Sequence, residues 1–245
     1  MIAPVNSRRR FLMAAGLAGA VPFGTADVET VPTPQKQTGQ KPGEKARIGA
    51  AEHLMREHGV IRRVLLVYRQ SAGRLRSNPA NVDPQPIVDA AKLFRAFGED
   101  FHQKEIEEAL IFPTLRKARS PAADHIDVLV AQHDRGRSIT DYILETAGRG
   151  TIGNGDVEPL QRAFIGIDLM FANHTAREDT IVIPAWRAAV SGPRLTEIGR
   201  KIEEVRRVRF GKLGFAEAVA EIGRIEQSMG FADLAEFTVP APSKT

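Results

Sequence analysis

Two stretches of this chain join a histidine to carboxylates at helical spacing. They are His102-Gln-Lys-Glu105-Ile-Glu107-Glu108-Ala-Leu-Ile-Phe-Pro113 and His174-Thr-Ala-Arg-Glu178-Asp179-Thr-Ile-Val-Ile-Pro184. Each opens on histidine, places acids about one turn later, runs through apolar residues and closes on Pro. On an α-helix a histidine and a carboxylate four residues apart share a face, so they can close on one metal ion or one half of a metal pair. A single such pair is common on solvated helices. Two copies, each on an amphipathic segment and each ending in Pro, point to metal chemistry.

There are six histidines and no cysteine. His58, in Met55-Arg-Glu-His58-Gly-Val-Ile, and His133, in Val130-Ala-Gln-His133-Asp, each interrupt an apolar register. With His102 and His174 they give one histidine to each of four helices, which is what a central metal site between facing helices requires. His53 and His125 fall near helix starts and read as surface residues. Without thiolates, disulfide scaffolds, cysteine nucleophiles, iron–sulfur clusters and zinc ribbons are excluded. A metal here must be held by nitrogen and oxygen, which suits iron, manganese or zinc.

The positioning elements read as helices throughout. A first helix is expected from Ile48 to about Arg76, with Leu54, Ile61, Leu65 and Tyr68 inward, broken by Ser-Asn-Pro-Ala-Asn-Val-Asp-Pro. A second starts near Pro86, carries Phe94, Phe97 and Phe101 into the His102 stretch and ends near Ala118. Ser120-Pro121 opens a third, with Pro in the favoured first turn and Ile126, Leu129, Val130, His133, Ile139, Ile143 and Leu144 inward. Gly148-Arg-Gly-Thr-Ile-Gly-Asn-Gly is a loop. A fourth helix from about Val157 to Val190 brings Phe164, Ile167, Met170 and Phe171 up to His174. The pattern predicts an all-α, up-down-up-down four-helix bundle over 47–190. Shorter amphipathic pieces at about 194–208 and 213–229, within an extension over 191–245, pack on the bundle and cover a face.

The formal charge is +4, but residues 1–26 hold three Arg and no acid, leaving 31 basic against 30 acidic side chains elsewhere. Nucleic acid, which demands a concentrated basic face, is therefore not an expected partner. No apolar run reaches the length of a membrane span, so stable membrane insertion is not expected. Ser7-Arg8-Arg9-Arg10-Phe11-Leu12, followed by a weakly apolar run, is similar to a twin-arginine (Tat) export signal over 1–26. The resemblance implies cleavage after Ala20 or Ala26, the Tat machinery as a partner and a periplasmic or otherwise exported protein. Residues 27–46, polar and Pro-rich, read as a disordered tether.

Taken together, Leu-Met-Arg-Glu-His58-Gly-Val, Phe101-His102 through Ile-Phe-Pro113, Ala-Gln-His133-Asp and His174 through Pro184 resemble the hemerythrin-like (HHE cation-binding) family, over about 48–190. The resemblance implies an antiparallel bundle holding two non-haem, oxo- or hydroxo-bridged irons, with manganese or zinc as other occupants. It carries over His58, His102, His133, His174 and Glu178 as metal ligands. The family's second-helix carboxylate stands four residues after the histidine, where this chain has Ile106. Counting back from Pro113, as Glu178 counts back from Pro184, selects Glu107. A five-residue spacing points about 140° away on a straight helix, and one residue absorbed as a π-bulge restores it. Glu105 is the rival that needs no bulge. Oxygen-carrying hemerythrins also place a histidine one turn after the third-helix ligand; Arg137 stands there, which argues against reversible oxygen carriage. The expected function is binding or sensing of dioxygen, peroxide or nitric oxide. The alternatives are a di-iron oxidase or peroxidase and a helical interaction module with a structural metal site.

Overall fold

The computed structural model describes residues 49–211 and 214–242. The export signal and the tether expected over 1–46 lie outside them. Among the described residues all regular structure is helical, and no helix is long and apolar enough to cross a membrane.

Helix α1 spans Ala50–Ser77. Glu52 in its first turn and Arg74 and Arg76 in its last complement the helix dipole, and Asn78-Pro79 ends it. Its buried stripe (Leu54, Ile61, Leu65, Tyr68, Leu75) recurs at three, four and seven residues. The second long helix is continuous but changes pitch. α2 covers Gln85–Leu93, a π-helical stretch with i→i+5 hydrogen bonds covers Phe94–Ile111, and α3 covers Phe112–Lys117. The expected start of a helix at Pro121 is corrected to a 3-10 turn, Pro121–His125, capped by the Ser120 hydroxyl accepting from the Ala122 N–H. Helix α4 proper runs Ile126–Ala147. The fourth long helix consists of α5 (Asn154–Arg177), a π turn (Glu178–Val182) and α6 (Ile183–Ala189).

Both π segments end two residues before a proline. The N–H of Phe112 donates to the Glu107 carbonyl, and that of Ile183 to the Glu178 carbonyl, in i→i+5 fashion. The next residue, Pro113 or Pro184, has no N–H and a ring that crowds the preceding turn. A wider turn makes room for that ring, so the two prolines and the two π segments go together.

α1 packs most extensively on α5, while α2 and its π continuation lie against α4. Aromatic rings fill the space between: Tyr68 stacks on Phe164 at 5.2 Å, and Phe94 meets Phe171 edge-on at 5.3 Å. All of the expected inward residues on the second helix are buried, whereas Val130, Ile139, Leu144 and Met170 are only partly so. α7 (Gly192–Phe210) rests on α1, and α8 (Phe215–Ser228) rests on α1 and α2. Phe210 contacts Phe97 and Phe101, and Arg63 of α1 grips Glu226 of α8.

Candidate metal centre

The four long helices bring His58, His102, His133 and His174 together with Glu107 and Glu178 in the interior; no one of the six is more than 2% exposed. Their donor atoms form two groups, His58–His102–Glu107 and Glu107–His133–His174–Glu178, each with ligand atoms within 4.8 Å of one another. Glu107 belongs to both. One of its oxygens lies 3.1 Å from His102 Nε2, the other 3.3 Å from His133 Nε2. Glu178 likewise spans the halves, 3.1 Å from His174 Nε2 and 3.4 Å from His58 Nε2.

The π pitch decides which acid enters. Five residues make little more than one turn of an i→i+5 helix, so Glu107 falls beneath His102. Ile106, in the four-residue position, is buried among apolar side chains. Glu105 turns outward and pairs with Arg209 of α7.

Every histidine is clamped from behind. Nδ1–H donates to Asp179 from His58 (2.7 Å), to Glu57 from His102 (2.7 Å), to Glu108 from His133 (2.8 Å) and to Gln132 Oε1 from His174 (2.9 Å). Carboxylate and amide oxygens only accept, so each Nδ1 carries the proton and each Nε2 faces the centre. The sequence reading missed all four partners, although a signal was present. Each is the immediate neighbour of a central residue: Glu57 of His58, Gln132 of His133, Glu108 of Glu107, Asp179 of Glu178. A neighbour is rotated about 100° around the helix, so it serves the histidine of an adjoining helix. Arg62 donates to Asp179, Arg206 to Glu57 and Arg137 to Glu108; Gln132 is neutral.

The donor set fits a pair of cations. His58 Nε2 lies 2.9 Å from His102 Nε2, and His133 Nε2 lies 3.1 Å from His174 Nε2. With each neutral ring protonated at Nδ1, the paired Nε2 atoms set lone pair against lone pair, a conflict that a proton on one of them or a shared cation would relieve. One Glu107 oxygen and both Glu178 oxygens are buried with no hydrogen-bond donor among the described residues. A shared cation relieves each conflict. Such a nitrogen and oxygen donor set would suit iron, manganese or zinc.

Electrostatics agree. Burial pushes His58, His102 and His133 down, yet the surrounding carboxylates outweigh it. His58 is held well above the usual imidazole range by Asp179, Glu107 and Glu178, and His102 and His133 are each pushed up to about 9. Glu107 is depressed well below the ordinary carboxylate value: burial opposes ionisation, and the charge of His102, with His133 and His58 close beside it, overcomes it. Without metal, protons hold this cluster together, and metal must displace them.

Apolar walls close the site. Phe112 stacks on the His133 ring at 5.9 Å and Phe171 contacts His174 at 5.0 Å. Gly136, one turn after His133, admits Phe171, for a Cβ there would lie 3.0 Å from its ring. His53 is corrected from surface to buried: α7 covers it, and Arg206 donates to its Nδ1 at 3.2 Å. His125 is partly buried and belongs to neither group of candidate ligands.

The family model described as hemerythrin HHE cation binding domain matches residues 49–186. Uncharacterized proteins of Mycobacterium bovis (Mb2018) and Mycobacterium tuberculosis (MT2051 and Rv1995) are each 34% identical to the chain over 238 residues, covering 96% of it and 92% of their own lengths. No solved structure matches it.

Proposed function

The chain belongs to the hemerythrin HHE cation-binding family, and from that premise we propose that it is an exported non-haem di-iron protein. It binds or senses dioxygen or a related small molecule such as peroxide or nitric oxide. The observation that carries the reading is the position of Glu107, within reach of both histidine pairs, since a carboxylate so placed bridges two ions and holds them close. His58 and His102 would hold one ion and His133 and His174 the other, with Glu107 and Glu178 within reach of both pairs. An antiparallel four-helix bundle is the arrangement this reading requires. Bound iron supplies a redox-active Lewis acid, and two imidazoles with two shared carboxylates leave it open positions for a small ligand.

The chain's own residues set the conditions. The four Nδ1 acceptors fix ring orientation, and Phe112 and Phe171 keep bulk water off the second pair. Arg137, in place of a further histidine, is engaged by Glu108 and Asp134. With one nitrogen donor fewer than an oxygen carrier, the centre is suited to reacting with or sensing its ligand rather than storing it.

Metal content and the visible spectrum of the purified protein, before and after air, test the reading. About two irons per chain with an oxo-bridge band that responds to dioxygen is expected. Iron indifferent to oxygen but responsive to peroxide or nitric oxide selects those ligands. Turnover of an oxidisable substrate would establish the oxidase or peroxidase alternative, and zinc or no metal the structural one. For export, Arg8→Lys with Arg9→Lys is expected to retain the protein in the cytoplasm; undiminished export refutes the twin-arginine route.

A further inference from the structure

The matched family domain ends at residue 186, yet a side chain from α7 reaches the back of the centre. Arg206 is 1% exposed, the only arginine among the large fully buried side chains of the described residues. One of its terminal nitrogens donates to Glu57 Oε1 at 2.6 Å, and the other Glu57 oxygen accepts from His102 Nδ1 at 2.7 Å. The same guanidinium binds Glu203 one turn back on α7 and donates to His53. The rings of Phe101 and Phe215 flank it, 5.8 and 6.0 Å away. The arginines behind His58 and His133 differ: Arg62 and Arg137 come from within the matched domain, and their side chains are 45% and 21% exposed.

A planar guanidinium held on several sides cannot follow a moving partner. Both members of the Arg206–Glu57 pair are themselves buried, at 1% and 0% exposure, so solvent does not screen it. Glu57 is therefore locked against His102, where Asp179 and Glu108 keep partners that solvent can screen. We propose that Arg206 is a positioning residue of the metal centre, through which the C-terminal extension fixes Glu57 on His102 and sets the affinity and reduction potential of the ion held by His58 and His102. This rests on the reading of the histidine cluster as a metal site.

The test compares iron per chain and reduction potential in the full-length protein and in Arg206→Gln, Arg206→Lys, Glu57→Gln and Arg63→Gln. Arg63→Gln loosens α8 through Glu226 without touching Glu57. Outer partners of metal-bound histidines change affinity by about 10–100-fold, and Arg206→Gln is expected to weaken one of the two irons by about ten-fold. Losing a nearby positive charge favours the oxidised ion, so its potential falls, while Glu57→Gln moves the potential upward. Arg206→Lys restores part of the loss, and Arg63→Gln changes thermal stability alone. If Arg206→Gln and Arg63→Gln both lower only the melting temperature, Arg206 is a packing residue and the proposal is overturned. Should Arg206→Gln fail to fold, an unchanged potential in Glu57→Gln overturns it equally. A wild-type protein without metal, or a His102→Ala variant that keeps both irons, refutes the metal reading itself, whatever Arg206 does.

Discussion

The two halves of the centre are built alike in front and differently behind. Each offers two Nε2 atoms about 3 Å apart and a share of Glu107 and Glu178. Behind the first pair stand two carboxylates, Asp179 and Glu57. Behind the second stand one carboxylate, Glu108, and one neutral amide, Gln132. An anionic acceptor on Nδ1–H makes the imidazole a stronger donor through Nε2. The inner ligands set how many ions the site takes; the outer ones decide how alike those ions are.

The largest effect should come from erasing what the halves share. Glu107→Ala is expected to lower iron from about two per chain to near none, because both groups lose a donor; Glu105→Ala should retain full iron by elemental analysis. His102→Ala and His174→Ala should likewise destroy stoichiometric loading, with His125→Ala as the unaffected control. His53 would not serve as such a control, since it touches Arg206.

Next in size is the difference itself. During stepwise chelation the ion between His133 and His174 is expected to leave first. Gln132→Glu should tighten it and Asp179→Asn should loosen the other, each by about 10–100-fold. Equal release of both ions from wild type and variants would show the outer partners to be equivalent.

Metal-free protein should show the cluster's proton dependence. His102 and His133 rise from an ordinary 6.5 to about 9 on folding. Raised folded-state values contribute stability that is complete below pH 6.5 and lost as pH climbs through about 9. Depressed Glu107 adds stability above its ordinary 4.5 that disappears in acid. The melting temperature of the metal-free chain should therefore fall between pH 6.5 and 9, by several degrees or more, while that of iron-loaded protein stays nearly flat. Identical profiles for the two forms would contradict the assigned geometry. The smallest change is expected from Arg62→Ala, whose exposed partner contact with Asp179 is worth under about 1 kcal/mol in thermal unfolding.

Much of this was legible in one dimension. The 3.6-residue recurrence of apolar side chains marks the helices, and one histidine per helix at matching depth marks the interior cluster, because periodicity alone fixes which face a residue shares. Glu107 was reachable by counting back from Pro113, since a proline that cannot donate its N–H leaves a trace in helix pitch. The outer acceptors sat beside the central residues, but the neighbour a side chain meets depends on which helix packs alongside. Glu57 serves a histidine 45 residues away, and Asp179 one 121 residues away. Arg206 carried no signal at all: within Glu-Glu-Val-Arg-Arg-Val-Arg it looks like one more solvated charge. Local spacing determined what the helices carry, and only their packing decided which charges are taken out of water and made to face the centre.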